Sequence, residues 1–169
     1  MVMNGFTEHR ASGAGQRPGS NDLVLTWETS VAMLALVRRI VADVLTYQER
    51  LDQLRQERDR LDRNRLKLEW AERARRYELE EELAKLGNDL RSSRVELEGL
   101  GVTLLDAAAG LVGFPTIVNN RRAFFSWKSG EEGLSFWSFA GESRRRPIPP
   151  SWAKGGKEKP KASRRSKRK

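Results

Sequence analysis

From Val31 to Leu86 the chain contains neither proline nor glycine, and apolar residues recur there at heptad spacing. Such a pattern demands long helices, because side chains three and four apart share one helix face, whereas a strand needs strict alternation. In a first series Val37, Val44 and Leu51 hold one core position. Met33, Ile40, Tyr47, Leu54, Leu61 and Leu68 hold the other. Arg58 and Arg65 interrupt the first position, so the seam turns half polar toward residue 68. Near its start the stripe widens to include Leu34, Leu36, Val41 and Leu45, which calls for a second neighbour there. Thr26 is suited to cap this helix, with Glu28 in the first turn where the helix dipole favours a carboxylate.

A second series comes next, with Leu79, Leu86, Ser93 and Leu100 alternating with Leu83, Leu90 and Leu97. It stops at Gly99-Leu100-Gly101. The two series are out of phase, which places a turn at about 64–71. Two arrangements are compatible with this pattern: an antiparallel hairpin, or one helix over 26–98, about 110 Å long, that dimerises. The hairpin is favoured because the single helix leaves the rest of the chain little to pack on. It also explains the wide stripe, since the first turns of helix one project past helix two.

Beyond residue 101 the pattern changes. Eight of the thirteen aromatic residues lie between Phe114 and Trp152, in short apolar runs separated by turn residues. The expected strands are 102–106, 111–118 with Pro115 marking an edge or bulge, 123–128 and 134–139. Asn119-Asn120 is a two-residue hairpin turn, and 129–133 is a longer loop. The proline-rich run 143–150 is expected to leave the sheet as an extended arm. The fold class is therefore α+β: a helical hairpin over 26–100, capped by an antiparallel sheet of about four strands over 101–141, then an arm over 142–152. Residues 1–22 and 153–169 are expected to be disordered tails around this single domain of 23–152.

Charge and composition narrow the function. The net charge is +9, but 154–169 carry nine basic residues and one acidic, leaving 23 basic and 22 acidic residues in the remainder. The basicity thus belongs to the tail, in particular Lys157, Lys159, Lys161, Arg164, Arg165, Lys167, Arg168 and Lys169. There is no cysteine, which excludes disulfides, thiol catalysis and cysteine-based metal sites. The most apolar window, 31–45, is broken by Arg38, Arg39 and Asp43 and is too short to span a bilayer. No signal sequence is read, and the chain is expected to be cytoplasmic, with no membrane association. The one histidine, His9, lies in the N-terminal tail. GLVG at 110–113 lacks the Lys-Ser/Thr ending of a phosphate loop, and no cofactor is expected. Asp106, Glu131, Glu132 and Glu142 flank the sheet without a histidine or cysteine to complete a catalytic constellation.

Alternation puts aromatic side chains on both sheet faces. Phe125 and Trp127 oppose Phe124, Ser126 and Lys128 along one strand, while Trp137 and Phe139 oppose Leu134, Phe136 and Ser138 along the next. One face must pack on the helices and the other meets a second layer or a partner. Phe125, Trp127, Trp137 and Phe139, with the basic clusters Arg121-Arg122 and Arg144-Arg145-Arg146, make up the candidate interaction surface.

Gly101-Val102, GLVGFP at 110–115, SWKSGE at 126–131, Phe136-Trp137 and FAG at 139–141, followed by Arg-Pro-Ile, occur in order at consistent spacing. In these motifs the chain resembles the uncharacterised bacterial family called domain of unknown function 2203, over about residues 24–150. The resemblance implies an Asp at the position of Gly113 and a His at that of Ser138 in other members. It supplies no activity. The expected role is a non-enzymatic interaction protein, binding a protein partner or a second copy through the sheet face and the base of helix one. The alternative is a nucleic-acid- or ribosome-associated factor that uses the arginine clusters and the basic tail. A small enzyme comes third.

Overall fold

The computed structural model describes residues 23–153. Helix α1 (Trp27–Arg63) and helix α2 (Trp70–Gly99) form the antiparallel hairpin, and the turn between them falls where the heptad phase breaks. The side chain of Thr26 caps α1, its Oγ1 accepting from the Thr29 N–H at 3.1 Å. At the hairpin tip the Asn64 N–H donates to Leu61 O, and the Glu69 N–H opens α2 by donating to the Glu72 carboxylate at 3.2 Å.

The sheet is antiparallel, in the order β1 (Thr103–Asp106), β2 (Leu111–Val118), β3 (Arg121–Lys128), β4 (Phe136–Phe139), β5 (Arg146–Pro147). Asn119 and Asn120 both take positive φ, 51° and 58°, as a two-residue hairpin turn requires. Gly101 leaves the helix with φ +76°, and a Cβ there would lie 2.0 Å from the Leu23 side chain. The positive φ favours glycine, since a side chain there is strained whatever the space around it.

Two expectations about the sheet are corrected. The fourth strand begins at Phe136 rather than at 134, because Leu134 is occupied otherwise: its carbonyl accepts from the Trp27 indole and its side chain enters the core. The arm does not leave the sheet. Arg146-Pro147 pair with Trp137 and Phe136 as a fifth strand, and the Ile148 N–H donates to Ser135 O at 2.9 Å. A two-residue edge strand tolerates proline, since the missing donor can face outward. The arm ends in a short helix α3 (Pro150–Ala153) that returns Trp152 to the core.

The core lies at the sheet end of the hairpin. Leu34, Val37, Ile40 and Val41 of α1 and Leu97 of α2 meet Val112, Phe114, Phe125 and Trp127 of the sheet. This is the second neighbour that the widened stripe of α1 demands. Farther out, Leu54, Leu61, Leu68 and Leu79 form a separate cluster, flanked by Leu83 and Leu86. Toward the tip, where the seam of α1 turns half polar, ion pairs cross between the helices: Arg75 to Glu57 at 2.9 Å and Arg76 to Asp62 at 2.6 Å. Arg76, first by its hydrogen bond and then by its charge, holds the Asp62 carboxyl below its usual range.

Candidate functional site at the sheet end

Strand register decides what each candidate residue can do. Phe125 pairs with Phe114 on one side and Trp137 on the other, and Trp127 pairs with Val112. All five therefore share the face that meets the helices. Phe125 and Trp127 are 5% and 3% exposed, so they build core and offer nothing to a partner. Trp127 also closes the adjoining loop, its indole N–H donating to Glu131 O at 2.9 Å. Arg38 of α1 stacks over the same ring at 5.7 Å and donates to the carbonyls of Glu131 and Glu132.

Trp137 and Phe139 lie at the rim of that face, half-buried and edge-to-face with ring centroids 5.0 Å apart. Trp152 packs on Trp137 at 5.3 Å. The guanidinium of Arg121 covers the Phe139 ring at 4.0 Å, and that of Arg146 lies 5.2 Å from both Trp137 and Phe139. Glu142 joins the two arginines, at 2.7 Å from Arg146 and 3.6 Å from Arg121, and its carboxyl is held below the usual range by the Arg146 hydrogen bond. Two of the arginines in the candidate surface are thus engaged with its own aromatic rings.

Arg145 serves the opposite face. It grips both oxygens of Glu131 at 2.6 and 2.8 Å, donates to Ser126 Oγ and to Ser126 O at 3.0 Å, and lies 4.5 Å from the Phe136 ring. This bidentate bond lowers the Glu131 pKa against the opposing effect of burial. Arg144 is exposed, with no ion pair among the described residues. The candidate tail residues from Lys157 to Lys169 lie outside the described residues.

The Asp106 carboxylate is structural. Asp106 accepts from the N–H groups of Ala108 and Ala109, at 3.0 and 3.1 Å, and so closes the turn between β1 and β2. Among the described residues no cluster of three His, Asp or Glu side chains is arranged to hold a metal. Gly113 pairs with Ser126, and Ser138 with Phe124, so both positions belong to the outer face. The Phe124 ring fills the space beside Gly113: a Cβ there would come within 2.8 Å of it.

The register also reveals a groove that the sequence pattern did not indicate. β1 covers β2 only as far as the Thr103–Gly113 pair, leaving that edge of β2 open from Pro115 onward among the described strands. The segment before α1 begins to cover it, the Leu25 N–H donating to Pro115 O at 2.7 Å. Beside this contact lies a groove of about 230 Å³, lined by Leu23, Val24, Pro115, Ile117, Arg122 and Phe124 among others. Leu23, Val24 and Ile117 remain 55%, 46% and 38% exposed. Ile117 alternates with Pro115, so its N–H and C=O face the same open edge. The only trace of this in the sequence is Pro115, which marks an edge without saying what lies along it.

Among the described residues no helix is long and apolar enough to cross a membrane. Comparison with curated proteins and with solved structures returned no match. Residues 24–148, which span both long helices and the whole sheet, match the family described as Uncharacterized conserved protein (DUF2203), and the chain belongs to that family.

Proposed function

We propose that this is a non-enzymatic, cytoplasmic interaction protein that receives a protein partner or a second copy of itself at the sheet end. The observation that carries this reading is the groove between the segment before α1 and the open edge of β2. It joins exposed Leu23, Val24 and Ile117 to main-chain groups that have no strand beside them among the described residues. That combination suits an added extended segment: the edge supplies hydrogen bonds, and alternate side chains fill the apolar floor. The internal use of Asp106, Glu131 and Glu142 argues against acid–base chemistry here. The test is capture of the tagged full-length protein from its native cells in the presence of nuclease, with light scattering of the purified chain. A nuclease-resistant complex or a dimer that Ile117→Glu and Val24→Glu dissolve supports the reading. A partnerless monomer, or a complex indifferent to both substitutions, removes it.

A second reading, association with nucleic acid, is favoured by the nine Lys and Arg residues of 154–169. The arginines around the sheet add little to it, since Arg121, Arg145 and Arg146 are held by Glu131, Glu142 and aromatic rings. Neutralising the tail should abolish such binding if the tail alone is responsible.

A further inference from the structure

The far end of the hairpin is built unlike the rest of the molecule. Leu66, Trp70 and Tyr77 are 93%, 81% and 67% exposed, although each is large and apolar enough to belong in a core. They stand near the small cluster of Leu54, Leu61, Leu68 and Leu79 without joining it. Trp70, Arg73 and Tyr77 recur at i, i+3 and i+7, which sets them along one face of α2. The two rings are then about 10 Å apart along the axis. A groove of about 210 Å³ opens beside them, lined by Arg65, Leu66, Leu68, Arg73, Arg76 and Tyr77.

The charge of this end is equally distinctive. Residues 58–77 hold eight basic and four acidic side chains, whereas the rest of 23–153 holds 13 basic and 16 acidic. The positive charge of the described chain is therefore concentrated at the tip. Three of its four acids are already engaged within the hairpin: Asp59 with Arg58, Asp62 with Arg76, and Glu72 with the Glu69 N–H. Arg60, Arg65 and Lys67 form no ion pair among the described residues. Arg73 spends only its Nε, donating to Leu68 O at 3.1 Å.

We propose that the hairpin tip is a binding site for single-stranded nucleic acid, with bases stacking on Trp70 and Tyr77 and phosphates meeting Arg65, Lys67 and Arg73. Exposed planar rings with guanidinium groups between them bind bases through their π-faces whatever the sequence. Uncommitted cations supply the salt-dependent attraction to the backbone. An acidic peptide would satisfy the cations but not the separated rings. An anionic membrane would have to admit Glu69 and Glu72 next to Trp70. The proposal depends neither on the sheet groove nor on the C-terminal tail.

The experiment uses the full-length chain and a fluorescent 12-nucleotide oligouridine, read by anisotropy over a range of salt. A companion full-length chain has the Lys and Arg residues of 157–169 replaced by serine, so that the tail cannot answer for the tip. This companion should retain binding. Trp70→Ala with Tyr77→Ala should weaken it at least about tenfold. Arg65→Glu with Lys67→Glu should weaken it and flatten the salt dependence by about one to two phosphates. Trp70→Phe, which keeps a stacking ring, should bind nearly as the parent does. Unchanged circular dichroism guards against reading misfolding as lost contact. The proposal is overturned if the tail-neutral chain does not bind, or if all tip variants bind like the parent. A blue shift of Trp70 emission with phosphatidylglycerol vesicles, and none with oligouridine, would also overturn it.

Discussion

Arg145 and Glu131 are fourteen residues apart in sequence, yet they form the tightest polar contact on the outer sheet face. Because the folded pKa of Glu131 is lowered, the contact contributes stability above the ordinary value of 4.5 and loses it as pH falls through the depressed folded value. Glu131→Gln should cost about 1–2 kcal/mol at neutral pH. Its thermal midpoint should decline less on acidification than that of the parent, and the two curves should converge at the lowest pH. Parallel curves would show that the pair is not the acid-sensitive element. Gly113 offers a second check at this scale. A methyl group there would meet the Phe124 ring at 2.8 Å and Leu105 at 2.9 Å, so Gly113→Ala should cost about 1–3 kcal/mol in urea unfolding. Phe124→Leu should lessen that cost when the two are combined, giving a non-additive cycle. Alternation in the sequence assigned Phe125 and Trp127 to one face and Phe124 and Ser126 to the other, as the register shows. It could not say that the first face is sealed by α1, nor that Arg145 answers Glu131, because both facts depend on contacts between distant segments.

At the scale of elements, the helices were the most legible part. Heptad spacing and the phase break located α1, α2 and the turn between them, because one-dimensional periodicity directly encodes which face is buried. The Asn119-Asn120 turn was equally plain, since few residues other than glycine accept positive φ twice in succession. The strand β5 was not legible. Its two residues carry no alternation, and what draws it back is Arg146 over the ring of Trp137 and the return of Trp152 to the core. Trp152→Ala should therefore loosen the arm as well as remove a ring. The expected result is a loss of about 2–4 kcal/mol, with faster hydrogen exchange at the Ile148 amide, which bonds to Ser135 O. Unchanged protection of that amide would mean that β5 is held by its own pairing. The groove beside Pro115 was illegible for a related reason. It exists because β1 ends early and the segment before α1 lies alongside, so no local pattern records it.

At the scale of the whole molecule, the described residues form two separate apolar clusters strung along one hairpin, and this arrangement sets how it should unfold. The large cluster joins the helices to the sheet, whereas the small one rests on Leu54, Leu61, Leu68 and Leu79 with only Leu83 and Leu86 packed against them. A region with fewer buried contacts opens at lower free energy, so the tip should be the first part to fray. The tryptophans provide a means of seeing this. Trp27, Trp127, Trp137 and Trp152 all pack at the sheet end, and Trp70 is exposed at the tip. In a Trp70→Phe background, tryptophan emission reports the sheet end, while helical circular dichroism reports mainly the hairpin. Leu79 is fully buried, and Leu79→Ala should remove about 2–5 kcal/mol from the cluster around it. The circular dichroism transition of this variant should move to lower urea while the emission midpoint stays nearly in place, so that two transitions separate. A joint shift of both probes would instead show that the continuous helices bind the two clusters into one cooperative unit. Separation would leave the ring-bearing tip free to adjust to a ligand while the sheet end remains folded, as the two proposed binding ends would require.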